Sequence, residues 1–170
     1  MSRAPRVVAI SGGIGGAKLA LGLYKSLPAD TLMVVCNTGD DFEHLGLYVS
    51  PDLDTVMYTL SGIANPETGW GRAGESWNFM AALEQLGGEV WFQLGDLDLA
   101  THVERTSRLR AGTSLISISR DFGRRFGARA DIVPMCDRPV RTMVETEEYG
   151  VLPFQRYFVE KRSMPKVKGF

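Results

Sequence analysis

"AISGGIGGAKLALGL", residues 9–23, is the stretch from which the fold is read. The run leading into it, "RVVAIS" (6–11), is short, β-branched and bounded by Pro5 and Gly12, as a buried strand is. Behind the glycines, Leu19, Leu21, Leu23, Tyr24 and Leu27 suit a helix packed on a sheet and stopped by Pro28. "TLMVVCN" (31–37) is a second buried strand. The pieces form a strand, glycine loop, helix and strand, with a right-handed crossover expected. Gly12, Gly13, Gly15 and Gly16 are more glycine than a turn requires. Bare backbone lets N–H groups approach an anion closely, and the following helix adds its positive end. The plain alternative is a tight turn that eases strand–helix packing.

Two familiar phosphate loops do not fit. In the dinucleotide fingerprint Gly13 and Gly15 match, but Lys18 stands where the third glycine belongs, and the second strand ends in Asn37-Thr38 without an acid for a ribose diol. A P-loop needs Gly-Lys followed by a hydroxyl; here Lys18 sits between Ala17 and Leu19. What remains is a phosphate cradle of another kind, with Lys18 as its point charge.

Working outward, "TGDDFEHLGLYVSPDLDT" (38–55) is too rich in Gly and Asp for a core element. Helices are expected over 53–63, 75–88, 99–112 and 113–127, and strands over 89–94, 130–135, 141–146 and 154–162. This order implies an α/β fold, a three-layer sandwich with a mainly parallel, Rossmann-like sheet. Ligands of such sheets sit beyond the C-terminal strand ends. Three marked segments fall there: 12–18, 37–54 and 95–102.

Composition narrows the function classes. Hydrophobic residues make up 44% and charged residues 23%, as in an ordinary soluble domain. Lys and Arg total 19 against 20 Asp and Glu, so no global field draws the chain to nucleic acid or acidic membranes. Cys36 and Cys136 lie far apart and match no metal spacing, so buried free thiols are expected. The N-terminal apolar run is too short for a secretory signal, and nothing approaches the roughly 20 apolar residues of a membrane span. The expected location is the cytoplasm, with neither nucleic acid nor membrane as partner.

The acids carry the chemistry. Asp40 and Asp41 follow the second strand, Asp52 and Asp54 come in "SPDLDT", and Asp96 and Asp98 follow the run 89–94. Parallel strands would crowd them at one end of the sheet, where they repel unless a cation intervenes. Oxygen-only donors favour Mg²⁺, which bridges protein and phosphate. A lone Asp is more simply a helix cap; the group carries the metal expectation. One carboxylate could act as base toward a hydroxyl. For His44 and His102 a structural hydrogen bond is as good a reading as a ligand role. These features describe a phosphoryl-transfer site that works mainly by positioning.

Taken together, "GGIGGAK" (12–18), "NTGDDFEHLGLYVSPDLDTVMYTLSGI" (37–63), "WG" (70–71), "LGDLDLATHVERT" (94–106) and "LPFQRYFV" (152–159) resemble the 2-phospho-L-lactate transferase family of coenzyme F-420 biosynthesis. The resemblance implies transfer of a phospho-three-carbon acid (lactyl, enolpyruvyl or glyceryl) from a guanosine diphosphate-linked donor. The acceptor is the ribityl hydroxyl of 7,8-didemethyl-8-hydroxy-5-deazariboflavin (Fo), GMP leaves, and Mg²⁺ is required. By the same resemblance Gly12, Gly13, Gly15, Gly16 and Lys18 hold the nucleotide phosphates. Asp52 and Asp54 bind the metal and the ribityl end and are the catalytic pair. Asn37, Thr38, Asp40 and Asp41 line the cleft, with Asp96 among the cofactor-binding residues. Trp70 and Trp77 either stack on the deazaflavin or cover the edge of the core, and the family also implies a homodimer.

Two departures stand out. The family carries Arg or Lys where this chain has Leu97, leaving Arg72, Arg105 or Arg108 as substitutes. The family also runs on beyond "SMPKVKGF", so residues 1–170 are read as one α/β nucleotide- and Fo-binding domain lacking the family's C-terminal portion. A noncatalytic nucleotide- or Fo-binding module is the alternative; an NAD-type oxidoreductase is disfavoured by Lys18 and by the missing acid.

Overall fold

The computed structural model describes residues 7–170, so the first residue of the strand expected over 6–11 lies outside it. In chain order the first half runs β1 (Val7–Ser11), α1 (Gly13–Ser26), β2 (Leu32–Cys36), β3 (Phe42–His44), β4 (Leu47–Val49) and α2 (Pro51–Leu60). The second half runs α3 (Asn78–Gln85), α4 (Asp96–Arg110), α5 (Leu115–Arg125), β5 (Asp131–Pro134), β6 (Met143–Thr146), β7 (Gly150–Pro153) and β8 (Val167–Gly169). Among the described residues no helix is long and apolar enough to cross a membrane.

The expected α/β fold with a parallel, Rossmann-like sheet is present. Strands β1, β2 and β5 pair in parallel in the order β1-β2-β5, with Val34 beside Ala9 and Ile132. Alternate residues of β2, Leu32, Val34 and Cys36, point into a core closed by α1, α2 and α5. Ala17 and Ala20 are the two α1 residues fully inside that core, and their small side chains bring the helix close. Of the expected three-layer sandwich, the described residues supply helices on one face only; on the other, Val8 is 57% and Ile10 85% exposed. Parallel sheets are normally covered on both faces. Here the apolar row Ile10–Val35–Val133 has only its last member buried.

Three expectations fail for physical reasons. The run 89–94 forms no strand; Trp91 and Phe92 pack on Phe42 and His44 as an aromatic cluster, with Phe42 and Phe92 edge to face at 4.8 Å. The Gly- and Asp-rich stretch 38–55 does hold core elements. Leu45 and Gly46, both at positive φ, turn β3 into β4 as a two-residue hairpin. A strand is expected over 154–162, yet Arg156–Glu160 is a π-helical turn. Phe154, Tyr157 and Phe158 fall at helical spacing, and the rings of Phe154 and Phe158 stack at 5.4 Å. Beside that turn β7, β6 and β8 form a separate antiparallel sheet.

Candidate active site

The strand ends are level. The Asn37 N–H donates to the Ser11 carbonyl (2.9 Å) and that of Met135 to the Cys36 carbonyl (2.8 Å), so the loops after β1, β2 and β5 share one edge. At that edge Gly12 caps α1 in extended conformation and Gly13 takes φ +61°, which favours glycine. The first turn of α1 carries no acidic residue of its own. The glycines serve different ends. A Cβ on Gly16 would lie 2.6 Å from the Ser11 hydroxyl, and one on Gly12 would lie 2.9 Å from Oδ2 of Asp52, whereas a Cβ on Gly15 would meet nothing within 4 Å. Gly12 and Gly16 therefore permit close packing, while Gly15 keeps a surface open. Lys18 is exposed one turn on and has no ion pair among the described residues.

Asp52 and Asn37 join this edge. The Asn37 side-chain amide donates to Asp52 Oδ2 (2.9 Å), while its carbonyl accepts from the Gly39 N–H (2.9 Å). Asp40 is close by; burial and the Asp52 charge raise its pKa, against a hydrogen bond from Asn37. Neighbouring carboxylates repel, and a hard divalent cation would relieve that repulsion. Thr38 and Asp41 lie behind, both buried. Asp41 accepts from the Ser50 hydroxyl (2.9 Å), and burial pushes its pKa up to about 7 despite that bond and the pull of Arg105.

Asp54 faces the other way. Two positions along α2, it forms a two-pronged ion pair with the fully buried Arg105 of α4. Arg105 Nη1 also lies 3.2 Å from Nδ1 of His102 and donates to the Tyr48 carbonyl (3.3 Å). His102 Nε2 is 3.2 Å from Asp98 Oδ2, and the Tyr58 hydroxyl donates to Asp98 Oδ1 (2.7 Å). Burial opposes it, yet the close His102 ring, although it makes no well-directed hydrogen bond, and the Tyr58 hydroxyl hold Asp98 below the usual carboxylate range. The expected pairing of Asp52 with Asp54 around one metal is not what the geometry brings together. Asp52 sits with Asn37 and Gly12, and Asp54 has both oxygens taken by Arg105.

Asp96 is separate again. Its carboxylate accepts from the Ser76 hydroxyl (2.6 Å) and from the N–H groups of Asn78 and Phe79, which caps α3. In return Glu75, just ahead of α3, accepts from the N–H groups of Leu97 and Asp98 and caps α4. Each helix start is closed by an acid from beside the other. Asp96 therefore serves the scaffold.

Beside Asp98 and His102 opens a cavity of about 340 Å³ whose walls include Tyr58, Trp70, Trp91, Phe92 and Phe158. Trp70 lies in its wall; Trp77, equally exposed, does not. The edge and the cavity flank the N-terminal turn of α2, which contributes Asp52 to one and Pro51, Asp54 and Thr55 to the other. The glycine-rich start of α1, with Asn37 and Asp52, thus adjoins an aromatic cavity.

Comparison with known proteins agrees. The family described as "2-phospho-L-lactate transferase CofD" matches residues 7–169. The chain belongs to the 2-phospho-L-lactate transferase family. It is 46% identical over 91% of its length to a phosphoenolpyruvate transferase of Kitasatospora aureofaciens, covering 50% of that protein. It is 39% identical over 96% of its length to a 2-phospho-L-lactate transferase of Methanocorpusculum labreanum, covering 54%. The chain thus spans about half the length of the curated relatives it matches.

For a member of this transferase family, the surroundings of Leu97 can be compared with the three arginines named above as substitutes. Of the three arginines considered, Arg105 is committed to Asp54, and Arg108 to Glu104 and Asp121. Arg72 alone reaches the position, donating to the Leu97 carbonyl (3.4 Å). Cys36 and Cys136 are both unpaired, the first buried and the second half-buried. Sequence reasoning missed Tyr58, Trp91 and Phe92, and saw Arg105 only as a stand-in for a basic residue. A signal was present: Asp98, Thr101, His102 and Arg105 recur at i, i+3, i+4 and i+7, a polar stripe along one face of α4.

Proposed function

We propose that the chain carries the phosphate- and acceptor-binding portion of a Mg²⁺-dependent transferase in coenzyme F-420 biosynthesis. It moves a phospho-three-carbon acid from a guanosine diphosphate-linked donor to the ribityl hydroxyl of Fo and releases GMP. The observation that carries this reading is the meeting of the bare α1 N-terminus with Asp52 and Asn37, next to an aromatic cavity of about 340 Å³. The N–H groups of the first turn of α1 take the donor's phosphate oxygens, with Lys18 and Arg72 as positive charges. Asp52 and Asp40 hold the cation, which supplies charge neutralisation for the diphosphate. Trp70 and its aromatic neighbours take the flat acceptor ring by stacking, and so orient its polyol chain toward the cradle. Enolpyruvyl is the favoured three-carbon group, supported by the higher identity to relatives named phosphoenolpyruvate transferases. The protein acts in the cytoplasm, with a homodimer as its working form.

Mass-spectrometric assay of the chain with Fo, Mg²⁺ and each guanylylated acid tests the proposal. Product and GMP should form in equal amounts, and faster with the enolpyruvyl donor. Binding of Fo and GDP without turnover would leave a binding module, and no binding of either would end the reading.

A further inference from the structure

Asp54, Asp98 and His102 present ligand atoms within 4.8 Å of one another, the spacing of a metal centre. Arg105 makes that use implausible on chemical grounds. Both Asp54 oxygens already face its guanidinium, and Nη1 stands 3.2 Å from His102 Nδ1. Guanidinium nitrogens only donate. Asp54 Oδ2, at 3.7 Å, is too far to accept a proton from Nδ1. The Nδ1 lone pair therefore faces Arg105, and a second ring proton there would meet another N–H head on. The neutral ring carries its proton on Nε2. A protonated nitrogen has no lone pair for a metal.

That proton is poorly used. His102 is almost fully buried, and although Nε2 is 3.2 Å from Asp98 Oδ2, the contact is too oblique to satisfy the N–H, which has no well-directed partner among the described residues. Asp98 has spare capacity too. A carboxylate offers about four lone-pair sites, and the Tyr58 hydroxyl directly occupies one of them. Both residues line the aromatic cavity. A donor and an anionic acceptor side by side are the complement of a group that both accepts and donates.

We propose that His102 and Asp98 form a receptor for a hydroxyl group of the ligand in the aromatic cavity, with Arg105 as the positioning residue that fixes the histidine tautomer. The ligand hydroxyl donates to Asp98 and accepts from His102 Nε2–H. The ligand class is a flat heteroaromatic ring bearing a polyol chain, which rests on the acceptor reading above; the tautomer does not.

The experiment has two arms on the 170-residue chain. The first is ¹⁵N NMR of the imidazoles, which is simple because the sequence holds two histidines and His102→Gln assigns them. The His102 ring should show a protonated Nε2 and a bare Nδ1 at neutral pH, and added Zn²⁺ should leave it unmoved. Protonated Nδ1, or a Zn²⁺-induced shift that Asp98→Asn abolishes, overturns the proposal. The second arm titrates Fo, and the same ring without its ribityl chain, by tryptophan fluorescence. Fo should bind about tenfold or more tightly than the bare ring. Asp98→Asn and His102→Leu should erase that preference while ring binding persists, and His102→Gln, which keeps an N–H, should restore part of it. Equal binding of both ligands, unaffected by Asp98→Asn, overturns the receptor and leaves the acceptor reading standing. Failure of both ligands to bind, with the tautomer as stated, removes the acceptor reading instead.

Discussion

Asp52 and Asp54 stand two residues apart on α2, look alike in the sequence, and occupy unlike surroundings. Asp52 meets one amide and the edge of a glycine helix start, with Asp40 as its charged neighbour. Asp54 meets a guanidinium with both oxygens, deep in the protein. A helix turns about 100° per residue, so positions i and i+2 lie on nearly opposite sides. One face of α2 turns its carboxylate to Asn37 and the glycine helix start, while the other uses its carboxylate to hold α4. A pair of acids in a motif need not be a pair in space.

The largest effect should come from breaking the buried side. Asp54→Ala leaves Arg105 buried and unpaired, which costs about 3–5 kcal/mol, while replacing both partners by apolar residues of similar volume recovers much of the loss. Denaturant unfolding of Asp54→Ala and of the double variant Asp54→Leu/Arg105→Met checks this. A single variant as stable as wild type would show the pair to be ornamental. Next, Asp52→Asn keeps the shape and one partner for Asn37 but removes the charge. Stability should change little, while turnover falls on the order of 100-fold and the Mg²⁺ midpoint rises. A stable, fully active Asp52→Asn would place the ligand carboxylate elsewhere.

What could be read beforehand follows from the reach of each pattern. The glycine run, the apolar strands β1, β2 and β5 and the helices between them are set by short-range periodicity, and they formed where periodicity put them. The run 89–94 is apolar for a different reason. Trp91 and Phe92 fill space against Phe42 and His44, and a short apolar run does not distinguish a strand from an aromatic plug. The hairpin β3–β4 was hidden by its acids, because Asp40 and Asp41 precede it and Leu45 turns through positive φ without an Asn or Asp signal. The site divides likewise. Gly12–Gly16 and Asn37 lie at strand ends and follow from the fold class, whereas the Asp54–Arg105 pair joins residues 51 positions apart and depends on how α4 docks.

A smaller effect is expected from Asp41, which sits between the two faces. Its pKa rises from the ordinary carboxylate value to about 7 in the folded protein, chiefly through burial. Between those values the native state binds the proton that the unfolded state has released, so stability falls as pH rises. The contribution is fully present below about pH 4 and gone above pH 7. Melting temperature should therefore drop between pH 5 and pH 8 in wild type more than in Asp41→Asn, where position 41 does not titrate. Parallel curves for the two would remove Asp41 as the cause.

The smallest effect sharpens the comparison from outside α2. Asp96 follows a strand-like run and precedes Asp98, so its sequence position is as suggestive as that of Asp52. Its oxygens nevertheless go to Ser76, Asn78 and Phe79 at the start of α3. Asp96→Ala removes a helix cap and should lower the melting temperature by roughly 2–4 °C. Turnover per folded molecule and the Mg²⁺ midpoint should stay at wild-type values, because α4 retains its own cap from Glu75 and Asp98 keeps its place. Asp96→Asn should lose less, since its carbonyl can still accept one of the α3 N–H groups. If Asp96→Ala instead shifted the Mg²⁺ midpoint as Asp52→Asn does, the acid that caps α3 would belong to the ligand edge after all.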